Sequence, residues 1–392
     1  MTEQKIAQAL AILEELNLDA WMVVDQESDI LSDPMMDYVV GAGVTWLSFF
    51  LFFRSGQKIA IVGNLDIEKF QKLHLFDEVV AYKQNARDTL LTWLDTHDPQ
   101  RIAIDYSLDS PAADGLTHGK YLKILEMLQG TAYASRLVSA ERLVATLRGR
   151  KSAEEVRRLR LAINHALAIF AAVSTFAKAG MSEKELAAFM SAEREKLGLK
   201  AAWDESSCPS VFTGPQTVGA HSGPTDAILE QGHVFNIDFG VSVNQYCSDL
   251  QRTWYILRPG EKKAPEAVGR GFTTIVQAIA RAFAALKPGA RGVDIDHTAR
   301  EYIMSQGYDE YPHALGHQVG RSAHDAGALL APAWERYGQL PFLPLEAGQV
   351  FTLEPRLTIK DHGIATVEEM VLITEAGAEF LSRPQTELYL IH

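Results

Sequence analysis

The run NIDFGVSVNQYCSDLQRT, residues 236–253, sets two aspartates, Asp238 and Asp249, 11 residues apart in strand-like chain. From His233 to Phe239 the alternation brings Val234, Asn236 and Asp238 onto one face. Gly240-Val-Ser-Val-Asn can turn the chain, and Gln245 to Ile256 returns with Cys247, Asp249 and Gln251 on one face. A second hairpin of the same kind follows: Val350 to Ile359, a turn at Lys360-Asp-His-Gly, then Ala365 to Thr374. It carries Glu354 in Phe-Thr-Leu-Glu-Pro and Glu368 in Thr-Val-Glu-Glu-Met. Two hairpins with an acid on either arm suggest a duplicated half.

Acids in the middle of apolar strands need an explanation. A buried, unpaired carboxylate is costly, so Asp238 and Glu354 require a cation or strong hydrogen bonds. Ion pairing with Arg252 or Arg356 is one structural answer; a metal is the other. Between the hairpins lies Tyr-Pro-His313-Ala-Leu-Gly-His317-Gln-Val-Gly-Arg-Ser-Ala-His324-Asp, three histidines within twelve residues among glycines that permit close approach. A further histidine, His221, stands in a polar loop ahead of the Asp238 strand. Asp238, Asp249, Glu354 and Glu368 with one neutral imidazole, His317, supply four negative charges, which suits two divalent cations and a bridging hydroxide. Oxygen-rich sets with one nitrogen fit Mn²⁺, Co²⁺, Fe²⁺ or Zn²⁺, and paired cations are a known device for activating water in hydrolysis.

Composition narrows the setting. The chain has 392 residues, enough for two to three domains, with 47% hydrophobic and 22% charged residues. A net charge of −13 and no compensating basic tract argue against nucleic acid or an anionic membrane as partner. The apolar window Trp46 to Phe53 is far too short to span a bilayer, and Met-Thr-Glu-Gln-Lys lacks the layout of a signal peptide. Cys208 and Cys247, the only cysteines, read as two buried thiols in a reducing compartment. A cytoplasmic protein is expected.

The first ~140 residues alternate helix and strand patterns. Ile6, Leu10 and Leu13 share a helix face, Ala20 to Val24 reads as a buried strand, and Trp46 to Phe53 and Lys58 to Val62 flank a hairpin turn. Glu78 to Tyr82 and Arg101 to Asp105 read as further strands. His74, His97 and His118 are scattered and read as solvated. After this segment, Ser152 and Glu155 form a capping box that opens a long helix, and Ser182 and Glu185 repeat it for a second. Helices through Val268–Leu286 and Val293–Gln306 complete the helical set. The expected division is an N-terminal α/β domain, residues 1–145, and a catalytic domain, residues 146–392.

With its flanking words, the order Asp, Asp, His, Glu, Glu over about residues 145–392 resembles the pita-bread metallopeptidases: aminopeptidase P, prolidase and methionine aminopeptidase. The resemblance implies an α+β fold, a C-terminal pita-bread (creatinase/aminopeptidase-like) domain with a smaller N-terminal α/β domain. It implies that Asp238 chelates one metal, that His317 and Glu354 bind the other, and that Asp249 and Glu368 bridge. The two metals would be divalent, Mn²⁺ first, with Co²⁺, Zn²⁺ or Fe²⁺ as alternatives. Glu354 would also shuttle the proton of the bridging water. His221 and His324 match the family's two site histidines, which steady substrate and tetrahedral intermediate, and His313 matches a histidine of the proline-specific branch.

The N-terminal domain excludes the compact methionine aminopeptidases, and creatinase lacks the full ligand set. His313-Ala-Leu-Gly-His317 with His324-Asp325 is similar to the aminopeptidase P and prolidase branch, and that resemblance implies an Xaa-Pro exopeptidase acting on peptides, aminopeptidase P-like or prolidase-like, and expected to be a homodimer. Three departures bear on the substrate. Thr366 stands where proline-specific enzymes usually carry Arg; Gln318 and Arg321 replace commoner small or apolar neighbours of His317; and Asp-Ala-Gly-Ala after His324 lacks the Glu-Xaa-Pro-Arg pattern some prolidases use near the substrate carboxylate. They keep two alternatives open: a lyase or non-peptide hydrolase on the same metal core, and a non-catalytic peptide-binding module.

Overall fold

In the computed structural model, which describes residues 1–216, 222–325 and 327–392, the chain divides into two units, Met1–Arg148 and Gly149–His392. The break expected between residues 145 and 146 falls inside a helix, Glu141–Gly149.

The N-terminal unit is one mixed sheet with helices on both faces. Its strands are β1 (Ala20–Asp25), β2 (Ser48–Phe53), β3 (Lys58–Gly63), β4 (Glu78–Tyr82), β5 (Ile102–Ile104) and β6 (Leu137–Ser139), in the order β4-β3-β2-β1-β5-β6. The central pair is antiparallel with Ala20 opposite Phe53. The helices are α1 (Thr2–Glu15), α2 (Ile67–Leu73), α3 (Arg87–His97), α4 (His118–Met127) and α5 (Glu141–Gly149). Trp21, Val23, Phe50 and Phe52 pack with Ile6, Ile12 and Leu13 of α1 and with Leu143 and Leu147 of α5. Met22, Val24, Phe49 and Leu51 turn the other way, onto Leu90 and Leu94 of α3 and Ile124 of α4. Residues 49–53 are apolar without alternation because both faces of the sheet are covered.

His97 departs from the solvated reading. Its ring stacks on Phe53 at 3.8 Å, its Nε2 is buried without a partner among the described residues, and burial lowers its pKa. Three acids and a lysine cluster in the same unit. Lys120 pairs with Asp25, while Trp21 Nε1 donates to Asp105 at 2.6 Å and the Met35 amide to Asp33 at 2.8 Å.

The C-terminal unit opens with α6 (Ala153–Phe176) and α7 (Glu183–Lys196), and both expected capping boxes close, Ser152 with Glu155 and Ser182 with Glu185. Then come strands β7 (Lys200–Ala201), β8 (Ser210–Thr213), β9 (Val234–Phe239), β10 (Val241–Val243), β11 (Tyr246–Cys247) and β12 (Leu250–Ile256), and helices α8 (Glu266–Ala285) and α9 (Gly292–Ser305). The chain ends in β13 (Val350–Leu353), β14 (Arg356–Ile359), β15 (Gly363–Thr366), β16 (Glu369–Thr374), β17 (Gly377–Phe380) and β18 (Tyr389–Ile391). The sheets run β18-β12-β9-β8, β11-β10-β7, β13-β16-β17 and β14-β15. The apolar face of α8 (Phe272, Ile275, Ile279) meets Ile295 and Ile303 of α9 and Leu357, Ile359 and Phe351 from the strands.

Trp46–Phe53 is not the chain's most membrane-like run: α6 has a mean hydropathy of 1.5 over 18 residues, enough for a span by length and composition. Its buried face seals against the sheet, with Phe170 edge-on to Phe239 and tilted against Trp254. Arg157 and Arg158 pair with Glu154 on the outer side, so α6 is a core helix of this unit.

Candidate metal centre

The expected hairpins form, but their strands break at the acids. Asp238 alone lies within a strand, β9, paired with Ser210 on one side and Gln251 on the other. Asp249 sits between β11 and β12. Glu354 sits between β13 and β14, and Glu368 between β15 and β16, so one hairpin is shared by two sheets. Freed from the pleat, these acids can turn toward Asp238. His317 is carried by a loop held against β13: its amide donates to Thr352 Oγ1 and the Thr352 amide donates to its carbonyl. Gly316 is required there, because a Cβ would come within 2.0 Å of the Thr352 carbonyl oxygen.

Three overlapping groups result, each with its donor atoms within 4.8 Å of one another: Asp238, Asp249 and Glu368; His317, Glu354 and Glu368; and Asp249, His317 and His324. His317 Nε2 lies 3.2 Å from Glu354 Oε1 and 3.8 Å from Asp249 Oδ2. All five expected ligands are therefore brought together. Burial first, then repulsion from Asp249 and Glu354, pushes Asp238 well above the ordinary carboxylate range. Burial and then the charges of Asp249, Glu354 and Asp238 do the same to Glu368. Burial lifts Asp249 to about 7 against the pull of His317. Burial also opposes a charge on His317, yet contact with Glu354 raises its imidazole to about 9.

This donor set fits divalent cations. Asp238 Oδ1 and Glu368 Oε2 are buried and have no hydrogen-bond partner among the described residues, a costly state that a cation resolves. Neither arginine supplies that compensation. Arg252 is consumed by Glu369 at 3.1 Å and by the Glu368 carbonyl at 2.8 Å. Arg356 makes no ion pair or hydrogen bond among the described residues. The ion-pair explanation of the buried acids is thereby overturned.

A cavity of about 570 Å³ opens on the five ligands and is walled by Phe212, His313, Arg336, Tyr337, Arg356 and Ile364. A second, of about 320 Å³, reaches Asp238 and Asp249 past Trp203, Ser210 and His324. A larger cavity of about 680 Å³ lies in the N-terminal unit, between Trp46, Tyr82, Arg87 and Lys123. It coincides with no metal-binding group among the described residues, so chemistry favours the C-terminal pair of cavities.

The histidines divide. His324 packs its ring 4.1 Å from that of His317, and its neighbour Asp325 is fixed by a buried pair with Lys151 at 3.0 Å. His313 lines the cavity with Nδ1 on the Ala314 carbonyl, and burial, outweighing the Glu354 charge, lowers its pKa. His221 lies outside the described residues. Cys208 and Cys247 are free and buried, as expected.

Gln251, Asp296 and Arg300 carry roles that the sequence alone does not assign. Gln251 Nε2 donates to Glu354 Oε2 at 3.4 Å, and Thr366 Oγ1 donates to Gln251 Oε1 at 2.9 Å. A neutral Thr366–Gln251 relay thus occupies the flank where an arginine was expected. Arg321 turns to the Tyr246 hydroxyl at 3.4 Å. The Asp296 and Arg300 pair on α9, which holds the His313 loop, had a signal that could have revealed it: opposite charges four residues apart.

The pattern of metallopeptidase family M24 matches residues 157–375. An Xaa-Pro dipeptidase of Pyrococcus furiosus is 32% identical over 249 residues, 63% of this chain and 66% of that protein. An uncharacterized peptidase of Bacillus subtilis is 28% identical over 340 residues, 86% and 88% of the two chains. Among solved structures, an Xaa-Pro dipeptidase from Bacillus anthracis superposes with a TM-score of 0.76 at 22% identity, covering 100% of both chains. An X-Pro aminopeptidase from Thermotoga maritima does so with 0.72 at 22%, covering 98% and 99%. The fold is the α+β pita-bread arrangement with a smaller N-terminal α/β unit.

Proposed function

The chain belongs to metallopeptidase family M24, and from that premise we propose that it is an exopeptidase of the Xaa-Pro type that works with two divalent cations held by Asp238, Asp249, His317, Glu354 and Glu368. The observation that carries this is the meeting of all five donors at the wall of one cavity, with Asp238 Oδ1 and Glu368 Oε2 buried and unpartnered among the described residues.

When bound, such a cation pair supplies a water acidic enough to attack near neutral pH and a Lewis acid for the scissile carbonyl. The remaining work falls to side chains. Glu354 accepts the proton released by the attacking water and returns it to the leaving nitrogen, the proline imine of an Xaa-Pro bond. Gln251 holds the Glu354 carboxylate in place, and Thr366 fixes Gln251. His324, and His221 by the family resemblance, steady the substrate and the developing oxyanion. His313, kept neutral by burial, offers a hydrogen bond on the cavity wall.

We further propose Mn²⁺ as the native metal, a homodimer, and a cytoplasmic setting; the two free buried thiols support the last. The test is a panel of Xaa-Pro peptides with Mn²⁺, Co²⁺ and Zn²⁺ in parallel, release being followed by mass spectrometry. Hydrolysis on the N-terminal side of proline is expected. Cleavage only of bonds that are not peptide bonds would favour a different hydrolase or a lyase on the same metal core, a reading to which the Thr366 departure lends support. Light scattering at working concentration checks the dimer.

A further inference from the structure

Two cationic side chains, Arg336 and Arg356, stand on the wall of the cavity that opens on the five ligands. Arg336 is occupied: it donates to the Pro312 carbonyl at 2.7 Å and to the Tyr337 hydroxyl at 3.1 Å, and stacks on Trp334 and Tyr337. Arg356 is only partly exposed, yet has no ion pair and no hydrogen bond among the described residues. Its guanidinium is half-buried on the cavity wall with five donors left unused by the described residues, so it can take an anion that enters the cavity.

No anionic side chain among the described residues pairs with the Arg356 guanidinium. Glu354 and Glu368 make no ion pair with Arg356, and their charge is matched by the cations the site is built for. Nor is Arg356 remote from the chemistry. It follows Glu354 by two residues, and in the β14–β15 ladder it stands directly opposite Thr366, itself two residues before Glu368. Two strand positions are roughly 6–7 Å, while a substrate's terminal carboxylate lies one residue beyond the scissile bond, about 4 Å from Cα to Cα. An arginine side chain starting there can reach a carboxylate one residue past the bond, an end that a longer peptide does not present at that place.

We infer that Arg356 is the anchor for the substrate's free α-carboxylate, and that the chain is a dipeptidase, taking Xaa-Pro acids in preference to longer peptides. The inference rests on the peptidase reading above and gives it a substrate class. Guanidinium and carboxylate match as two parallel N–H···O bonds, so the group selects a charged end over a carboxamide.

The test uses the metal-loaded protein and Ala-Pro, Ala-Pro-amide and Ala-Pro-Ala. A charge-assisted hydrogen-bonded contact amounts to about 10–100-fold in preference, so kcat/KM should favour the free dipeptide by that factor. Arg356→Met should raise KM for Ala-Pro about 10–100-fold with kcat little moved, shift the amide far less, and keep metal content and melting temperature. Arg356→Lys should recover part of the loss. Calorimetry with a dipeptide whose scissile carbonyl is reduced to methylene, as acid and as carboxamide, reads the anchor without turnover. Preference for the acid that disappears in Arg356→Met supports the anchor even if no peptide is hydrolysed, in which case the peptidase reading falls alone. Equal hydrolysis of acid, amide and tripeptide, or an equal loss on acid and amide in Arg356→Met, overturns the anchor and leaves the peptidase reading standing.

Discussion

Asp296 and Arg300, one turn apart on α9, form a buried two-pronged pair at 2.6 and 2.8 Å whose remaining hydrogen bonds all go to the loop that carries His313. Arg300 donates to the carbonyls of Tyr311 and His313, and Asp296 accepts from the Leu315 amide. The guanidinium also lies 3.9 Å from the Tyr311 ring. A helix thereby sets the position of a loop that reaches His317 two residues later.

Arg300→Met should therefore destabilise the C-terminal unit by about 3–5 kcal/mol, because it leaves Asp296 buried without its partner. The double variant with Asp296→Asn should lose less than the sum of the two single changes. Urea midpoints measure both, and independent, additive losses would show that the pair does not act as one clamp.

Glu354→Gln should lower kcat by about 10²–10⁴-fold, the usual contribution of a positioned acid–base group. Asp249→Asn should also abolish turnover and bring the metal content below two ions per chain. Chelation should inactivate wild-type protein, and adding back Mn²⁺ should restore it. Full activity in metal-free protein is the result that sinks the metal mechanism.

Thr366 offers one hydroxyl where a fixed charge was expected, and it acts through Gln251. One of the two cations is therefore expected to leave during prolonged dialysis. Thr366→Val, which removes the hydroxyl that orients Gln251, should weaken metal binding a further 10–100-fold or so, and Thr366→Arg should tighten it. Metal titration by calorimetry reads each variant; two ions retained by the wild type after dialysis would count against this.

The N-terminal unit carries its own pH dependence. Burial lifts Asp33 to about 7, and burial followed by the Asp33 charge lifts Asp105 well above its ordinary value. Asp25 and Lys120 face the same space. A carboxyl raised in the folded state contributes stability that is whole below its unfolded value near 4 and fades as pH rises through the folded one. This unit should thus weaken as pH rises from about 4 to 7, the range over which Asp33 ionises, with Asp105 acting in the same direction. Asp105→Asn keeps an acceptor for Trp21 and should flatten that slope. Hydrogen exchange of β1 and β2 amides, with metal saturating throughout, is the measurement; a variant as pH-dependent as wild type would show that the pair does not titrate in this range.

Much of the fold was legible because it rests on local signals. The two capping boxes, the α8 and α9 stripes and the β2–β3 hairpin formed close to their expected positions. The five ligands were legible because acids are conspicuous in apolar strands. Their exact seats were not, since the strand breaks at Asp249, Glu354 and Glu368 depend on how one hairpin is divided between sheets. His97 looked solvated because its Phe53 partner is 44 residues away in the chain. The roles of Gln251 and Arg356 could not be read for a similar reason: each depends on what stands across a ladder, and one-dimensional spacing does not report that.

The shared hairpin has a mechanical consequence. Glu354 and Glu368 occupy the corner where it passes from the β13–β16 ladder to the β14–β15 ladder. Cations joining them to Asp238 and Asp249 would rivet that corner to the β9–β12 pair, and Arg356 rides on the free arm beyond the rivet. Loading the metal and aiming the arginine would then be one event, so the chain would grip a charged peptide end only when it is also equipped to cut the peptide.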